Sequence, residues 1–143
     1  MTPTGAVRDA TVGSVMTRPV LTVCASDTCC DARRMLGDDW TGPVPVVSAQ
    51  GLIVGVLRRA ALDAACPSGL RDHWGTQRVA GLMDHRAVTV GVDDRLDHAR
   101  DLMELRQVNR LPVVDGHLHV LGVLDRGVLP GPRRGASRLR EVR

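Results

Sequence analysis

Val44–Leu57 reads VPVVSAQGLIVGVL, and Leu111–Leu124 reads LPVVDGHLHVLGVL. Each stretch is a pair of apolar runs around a polar break. In the first, Val44–Val47 and Leu52–Leu57 flank Ser48-Ala49-Gln50-Gly51. In the second, Leu111–Val114 and Val120–Leu124 flank a turn signalled by Asp115-Gly116. Short β-branched runs bounded by turn residues predict hairpins. The two hairpins stand 67 residues apart, and the offset holds far beyond them: Val12–Leu62 lies on Val79–Leu129 without a gap. Fifteen of the fifty-one paired positions are identical, among them Val12/Val79, Met16/Met83, Asp27/Asp94, Pro45/Pro112, Gly55/Gly122 and Leu62/Leu129. The chain therefore holds two copies of one unit, related by a pseudo-twofold with a cleft between them. Two copies are too few for a solenoid, which needs three or more.

Working outward from the hairpins completes the unit. Each copy opens with a helical turn, Val12–Met16 and Val79–Met83, and a short strand, Val20–Val23 and Val88–Val90. Ser26-Asp27 and Asp93-Asp94 supply cap-type residues ahead of a helix. Cys29, Ala32, Leu36 and Trp40 recur at helical spacing in the first copy, as do Leu96, Ala99 and Met103 in the second, with Leu102 and Val108 as secondary members. Asp31, Arg34 and Asp38, and Asp101 and Glu104, fall on the opposite faces, so both helices are amphipathic. A closing helix runs from about Arg58 to Ala65 and ends before Pro67 and Gly69. Its counterpart, from about Asp125, is cut short by Pro130 and Pro132. The unit is β-α-β-β-α, and the fold class is α/β (mixed α+β), two such units packed with pseudo-twofold symmetry. The expected division is a first copy over 8–65, a linker over 66–78, a second copy over 79–129 and a tail over 130–143.

Composition limits the chemistry. With no Phe or Tyr and 43% hydrophobic residues, the core must be built from Val, Leu, Ala and Met. All 19 basic residues are Arg, so no Lys exists for a Schiff base or a P-loop. Residues 1–129 carry 14 Arg against 15 acidic residues, whereas residues 130–143 carry five Arg and Glu141. The body is near neutral and the tail is basic, which reads as a solvated terminus. Nucleic acid is not an expected partner beyond that tail, because the aromatic platforms that stack bases are missing. No long apolar run stands at the N-terminus, so neither a signal peptide nor a membrane span is expected, and the cytosol is the default compartment. Cys24, Cys29, Cys30 and Cys66 are then thiols. Their spacing makes no CxxC pair, and no Cys or His cluster completes a zinc site. Cys29 pairs with Leu96 in the repeat, which predicts burial; Cys30 pairs with Asp97, which predicts exposure. His117 and His119 lie two apart in a hairpin and share a face, without a visible third ligand.

The motifs together resemble a known family. Val15-Met16-Thr17, Thr22-Val23, Val44-Pro45-Val46-Val47 and Gly55-Val56-Leu57, repeated as Leu82-Met83, Thr89-Val90, Leu111-Pro112-Val113-Val114 and Gly122-Val123-Leu124, are similar to the cystathionine β-synthase (CBS) domain. A tandem pair resembles a Bateman module, and the resemblance covers residues 8–129. It implies sheet-on-sheet packing, association of two modules into a homodimer, no catalytic activity of the fold itself, and clefts that take AMP, ADP, ATP or S-adenosylmethionine. It also implies candidate ligand-binding residues: Val44, Pro45, Arg58 and Arg59 in the first copy, and Leu111, Pro112, Asp125 and Arg126 in the second. In the family, the strand end reads G-h-h-T/S-x-x-D, with the hydroxyl on phosphate or ribose and the Asp on the ribose hydroxyls. This chain has Arg58 and Ala61 at those positions in the first copy, and Asp125 and Val128 in the second. Both ribose carboxylates are missing, and Asp125 would repel a phosphate. Arg58, Arg59 and Arg126, near helix starts, suit phosphate or carboxylate. An Arg58–Asp125 pair across the pseudo-twofold is the competing use of the same charges.

Three functions follow as expectations. The first is a stand-alone regulatory module that senses a small ligand and acts on a partner protein in trans. The second is a ligand-free dimeric interaction module with degenerate nucleotide sites. The third is a small redox-active protein using Cys30 or Cys24. Trp40, Leu62 and Leu129 are the expected apolar residues of an association surface.

Overall fold

The structure is a computed structural model. It describes residues 10–18, 20–40, 42–65 and 77–129. The expectations for Cys66, for the terminators Pro67, Gly69, Pro130 and Pro132, and for the tail lie outside these residues.

In the first copy, α1 (Val12–Val15) leads to β1 (Val23–Cys24), α2 (Cys29–Leu36), β2 (Val44–Val47), β3 (Ile53–Leu57) and α3 (Arg59–Ala65). In the second, a 3-10 turn (Val79–Gly81) leads to β4 (Val90–Gly91), α4 (Leu96–Arg106), β5 (Arg110–Val114), β6 (Val120–Asp125) and a 3-10 turn (Arg126–Val128). Each copy forms one three-stranded sheet, β1-β2-β3 and β4-β5-β6. The first pair is parallel and the second antiparallel in both. The registers obey the 67-residue offset: Val23 faces Val46 as Val90 faces Val113, and Val44 faces Leu57 as Leu111 faces Leu124. Even the irregularity repeats, at Val46/Val47 and at Val113/Val114. Register is held this strictly because a one-residue slip would turn every buried side chain outward.

Several boundaries differ from those the pattern predicts. The first strands start at Val23 and Val90 rather than at Val20 and Val88, and they run on to Cys24 and Gly91. α2 stops at Leu36, because Gly37 takes φ 72°, and Trp40 is buried from the following loop rather than from the helix. α4 stops at Arg106, with Gln107 left-handed at φ 56°. The cap of α2 is Thr28, which accepts from the Asp31 N–H. Asp27 and Asp94 instead fold back onto the strand ends, accepting from the N–H groups of Cys24 and Gly91 at 3.0 and 2.8 Å. The predicted closing helix of the second copy is only the 3-10 turn Arg126–Val128, whose first turn Asp125 caps through the Gly127 N–H.

The packing units do not follow the covalent repeat: the lead-ins are exchanged. Val12 is fully buried in the second core, beside Val90, Leu96, Ala99, Met103, Leu111, Val113 and Leu124. Val79 is fully buried in the first, beside Val23, Cys29, Ala32, Leu36, Val46, Leu57 and Leu62. The backbone bonds come in matched pairs. The Val12 N–H donates to Asp94 O at 2.8 Å, and Val79 N–H to Asp27 O at 2.9 Å. Gly13 N–H donates to Val92 O as Ala80 N–H donates to Ala25 O. Thr17 bridges Val123 while Asp84 bridges Val56. Each lead-in thus adds an edge segment to the other copy's sheet and buries a valine worth ~1.5–3 kcal/mol.

Trp40 and Leu62, expected on an association surface, are 8% and 0% exposed and belong to the first core. Helical spacing alone does not tell a core stripe from a contact stripe. Leu129 is half-buried against the second core. Cys29 is fully buried, while Cys30 is half-buried and accepts from Arg34 at 3.2 Å. Arg33 holds α2 to α3 through Asp63 at 2.7 Å, and that guanidinium keeps the Asp63 carboxyl below its ordinary range.

The hairpin tips meet at the pseudo-twofold, where Leu52 bridges His119 and the Ile53 N–H donates to Leu118 O at 2.9 Å. Gly51 and Leu118 are equivalent positions, and both take positive φ, 86° and 71°. The second turn is held by Asp115, which accepts from the His117 and His119 N–H groups and lies 3.2 Å from His119 Nδ1. The left-handed position therefore falls on Leu118 rather than on Gly116. A side chain in that region costs roughly 1–2 kcal/mol, whereas glycine's extra unfolded freedom costs ~0.5–1 kcal/mol. Leu118 is 51% exposed, so truncation forfeits part of a leucine's burial, which caps the net gain. Leu118→Gly is expected to raise the denaturant midpoint at unchanged m-value, by up to about 1 kcal/mol of stability; a lowered midpoint would refute this account of the turn.

Candidate functional site

Strand alternation sets two faces on each sheet. Val44, Val46 and Leu57 enter the first core; Pro45 and Val56 face the other way. Leu111, Val113 and Leu124 enter the second core; Pro112 and Val123 face away from it. The outward faces line a groove between the copies, made of three adjoining recesses that share Pro43 and Arg110. These two residues are themselves equivalent in the repeat.

The first recess, of about 290 Å³, has mostly apolar walls that include Val20, Leu21, Trp40, Val44 and Pro45, with Asp39 at the rim and Arg110 as its cation. The second, of about 30 Å³, lies among Val56, Val88, Pro112 and Val123, with Arg58 and Arg86. The third, of about 380 Å³, is polar and includes Arg58, Gln107, Asn109, Arg110 and Asp125. The repeat pairs the first recess with the second, through Pro43/Arg110, Leu21/Val88, Pro45/Pro112 and Val123/Val56, whereas the third holds both members of Pro43/Arg110 and Arg58/Asp125. Trp40 lines the first, and its equivalent Gln107 lines the third rather than the second.

The charges are paired within the groove. Arg110 Nη2 lies 3.1 Å from Asp125 Oδ2, a contact set by register because these residues face each other across β5 and β6. Asp125 Oδ1 accepts from the Gly127 N–H at 3.1 Å. The Gly127 N–H and the Arg110 guanidinium hold the Asp125 carboxyl below its ordinary range against partial desolvation. Arg58 lies 3.9 Å from Asp84, on the exchanged lead-in, and is half exposed. The Arg58–Asp125 pair does not form, since each side chain takes a nearer partner on another segment.

The other sequence-derived candidates fall in different places. Val44 and Pro45 line the first recess, Pro112 the second, and Arg58 and Asp125 the third. Leu111 is fully buried in the second core, one residue out of phase with the groove face. Arg59 straps the loop that forms the groove wall: its Nη1 donates to Asp38 O at 2.7 Å and Trp40 O at 2.8 Å, and its guanidinium stands 5.8 Å from the Trp40 ring centroid. Arg126 reaches Glu104 of α4 at 3.7 Å. Sequence reading missed Pro43, Arg110, Arg86 and the groove role of Trp40. Strand alternation beside the core residues Leu57 and Leu124 would have found Val56 and Val123; nothing local marks Arg86.

Two copies of one β-α-β-β unit, exchanged lead-ins and a groove on the pseudo-twofold define a tandem domain-pair architecture. The chain belongs to the CBS domain family, whose model matches residues 12–66 and 79–127. It is 29% identical over 120 residues to the CBS domain-containing protein YhcV of Bacillus subtilis, covering 84% of this chain and 83% of that one. It is also 31% identical over 93 residues to a homoserine O-acetyltransferase of Methanocorpusculum labreanum, a match covering 65% of this chain but spanning only 18% of that protein's length. Among solved structures, CBSX2 in complex with AMP superposes with a TM-score of 0.68 at 27% identity, over 93% of this chain and 98% of that one. CBSX2 from Arabidopsis thaliana gives 0.69 at 26%, over 92% and 96%. No helix among the described residues is long and apolar enough to cross a membrane.

Proposed function

We propose that this CBS pair is a regulatory module that binds an adenosine nucleotide in the groove between its copies, holds it by phosphate more than by ribose, and signals occupancy to a partner protein in trans. The observation that carries this reading is the charge layout of the groove. Arg58, Arg86 and Arg110 line it, whereas the positions matching the family's ribose carboxylate are Ala61 and Val128. Arginine is the side chain best fitted to phosphate. The apolar recess at Trp40, Val44 and Pro45 offers a face for a base. CBSX2, similar over nearly its whole length, holds AMP. Of the ligands the resemblance implies, AMP, ADP and ATP suit these arginines better than the cationic sulfonium of S-adenosylmethionine.

Calorimetric titration with adenosine, AMP and ATP tests the reading. Loss of a hydrogen bond to a charged group costs on the order of 1.5–3 kcal/mol, so adenosine is expected to bind roughly tenfold to a hundredfold more weakly than to a CBS pair that keeps its Asp. Affinity should then rise from adenosine to AMP to ATP, fall steeply with salt, and weaken on Arg58→Ala. Tight adenosine binding, insensitive to salt and to Arg58→Ala, would defeat it.

A second reading, a homodimeric interaction module with unused clefts, draws on two exposed helical side chains, Met35 at 49% and Leu105 at 75%. It is favoured over the first if no nucleotide binds and light scattering shows a dimer that Leu105→Glu dissociates.

A further inference from the structure

We propose that Asp125 is a built-in competitor for the groove's ligand: its carboxylate occupies Arg110, and an anionic ligand binds by taking Arg110 away from it. The inference rests on the phosphate-led reading above and says which residue limits it.

Arg110 lines all three recesses, so it is the cation that a ligand in either end of the groove can reach. In the apolar recess it is the positive side chain, with Asp39 as the opposing acid at the rim. A nucleotide with its base against Trp40 therefore has Arg110 as its nearest phosphate partner in that recess. That guanidinium already faces Asp125 at 3.1 Å. The two side chains are 33% and 43% exposed, which puts the pair in the regime of weak, exchangeable ion pairs. A phosphate offers more charge and a bidentate geometry, so exchange is feasible. Release of Arg110 does not remove the carboxylate. Asp125 keeps its bond to the Gly127 N–H and stays as a fixed negative charge in the recess that also holds Arg58.

The repeat shows that this is a device of one copy only. The positions equivalent to Arg110 and Asp125 are Pro43 and Arg58. No such pair can form in the first copy, although both copies share topology and register. The competitor thus makes the Arg110 side of the groove answer to phosphate at a raised ligand threshold.

The test is calorimetry with AMP and adenosine on the full chain, its Asp125→Asn variant, Arg110→Met, and the double variant. Asn keeps an oxygen for the Gly127 N–H, so the turn is retained; Asp125→Ser serves if thermal melting shows that Asn unfolds the chain. Asp125→Asn is expected to tighten AMP about tenfold and to leave adenosine unchanged. Arg110→Met should weaken AMP and abolish the gain in the double variant. If the wild type prefers AMP to adenosine but Asp125→Asn leaves AMP unchanged, the competitor is refuted and the phosphate-led reading stands. If the gain survives Arg110→Met, Asp125 acts by its field alone and the proposed occupation of Arg110 is wrong. If neither wild type nor Asp125→Asn prefers AMP to adenosine, both readings fall.

Discussion

Neither half of the chain, cut between residues 66 and 76 and produced alone, is expected to fold, and the two halves mixed are expected to recover the native fold. The exchanged lead-ins require it. The N-terminal fragment loses Val79 from its core and the bonds from Gln77 O, Val79 N–H, Ala80 N–H and Asp84 to its sheet and helix start. The C-terminal fragment loses Val12 and the matching bonds from Ala10, Gly13 and Thr17. Units of this size sit near the lower limit at which a core alone suffices. Removing a fully buried valine and an edge segment together takes each below it. Circular dichroism melts of each fragment and of their equimolar mixture provide the measurement. A cooperative melt of either fragment alone, close to that of the intact chain, would mean that the exchange is not essential to folding.

Gly122→Ala, and equally Gly55→Ala, is expected to destabilise the intact chain by ~1–3 kcal/mol through overpacking. A Cβ on Gly122 would stand 2.8 Å from Thr17 O and 2.9 Å from the Met16 sulfur. A Cβ on Gly55 would stand 2.7 Å from Asp84 O and 3.0 Å from the Met83 sulfur. In both cases the hard neighbour is backbone of the exchanged lead-in, hydrogen-bonded to the next residue of the same strand: Thr17 with Val123, and Asp84 with Val56. The lead-in must retreat, so amide exchange should quicken at Thr17 and Val123 for Gly122→Ala, and at Asp84 and Val56 for Gly55→Ala. Equal denaturant midpoints for wild type and variants would show that the lead-ins have slack that these distances deny. The same glycines bear on function. Asp84 is the partner of Arg58, so a displaced lead-in moves one of the groove's cations.

Much of the architecture was legible in one sequence. The gapless 67-residue offset required that both copies share topology, and the short apolar runs Val44–Val47 and Leu111–Val114, each bounded by turn residues, placed the hairpins within a residue or so of their observed ends. Both are local properties: a side chain's face follows from its position along a strand, whatever the strand packs against. Cys29 could be read as buried for the same reason, through its partner Leu96. The strand-end substitutions at Arg58, Ala61, Asp125 and Val128 were equally plain, and they carry the functional reading.

Three features lay beyond the sequence. Trp40 fitted the helical stripe, yet the chain leaves the helix at Gly37 and Arg59 straps the loop, so the ring serves core and groove together. Charge partners were not legible either: Arg58 goes to Asp84 and Asp125 to Arg110, choices made by which segments come close in space. Nor was the exchange of lead-ins. Val12 and Val79, Met16 and Met83 occupy equivalent positions with identical side chains, so docking on the chain's own copy or on the other would satisfy the same pattern of burial. A repeat fixes what each unit looks like; only the path of the backbone between units decides which lead-in completes which sheet.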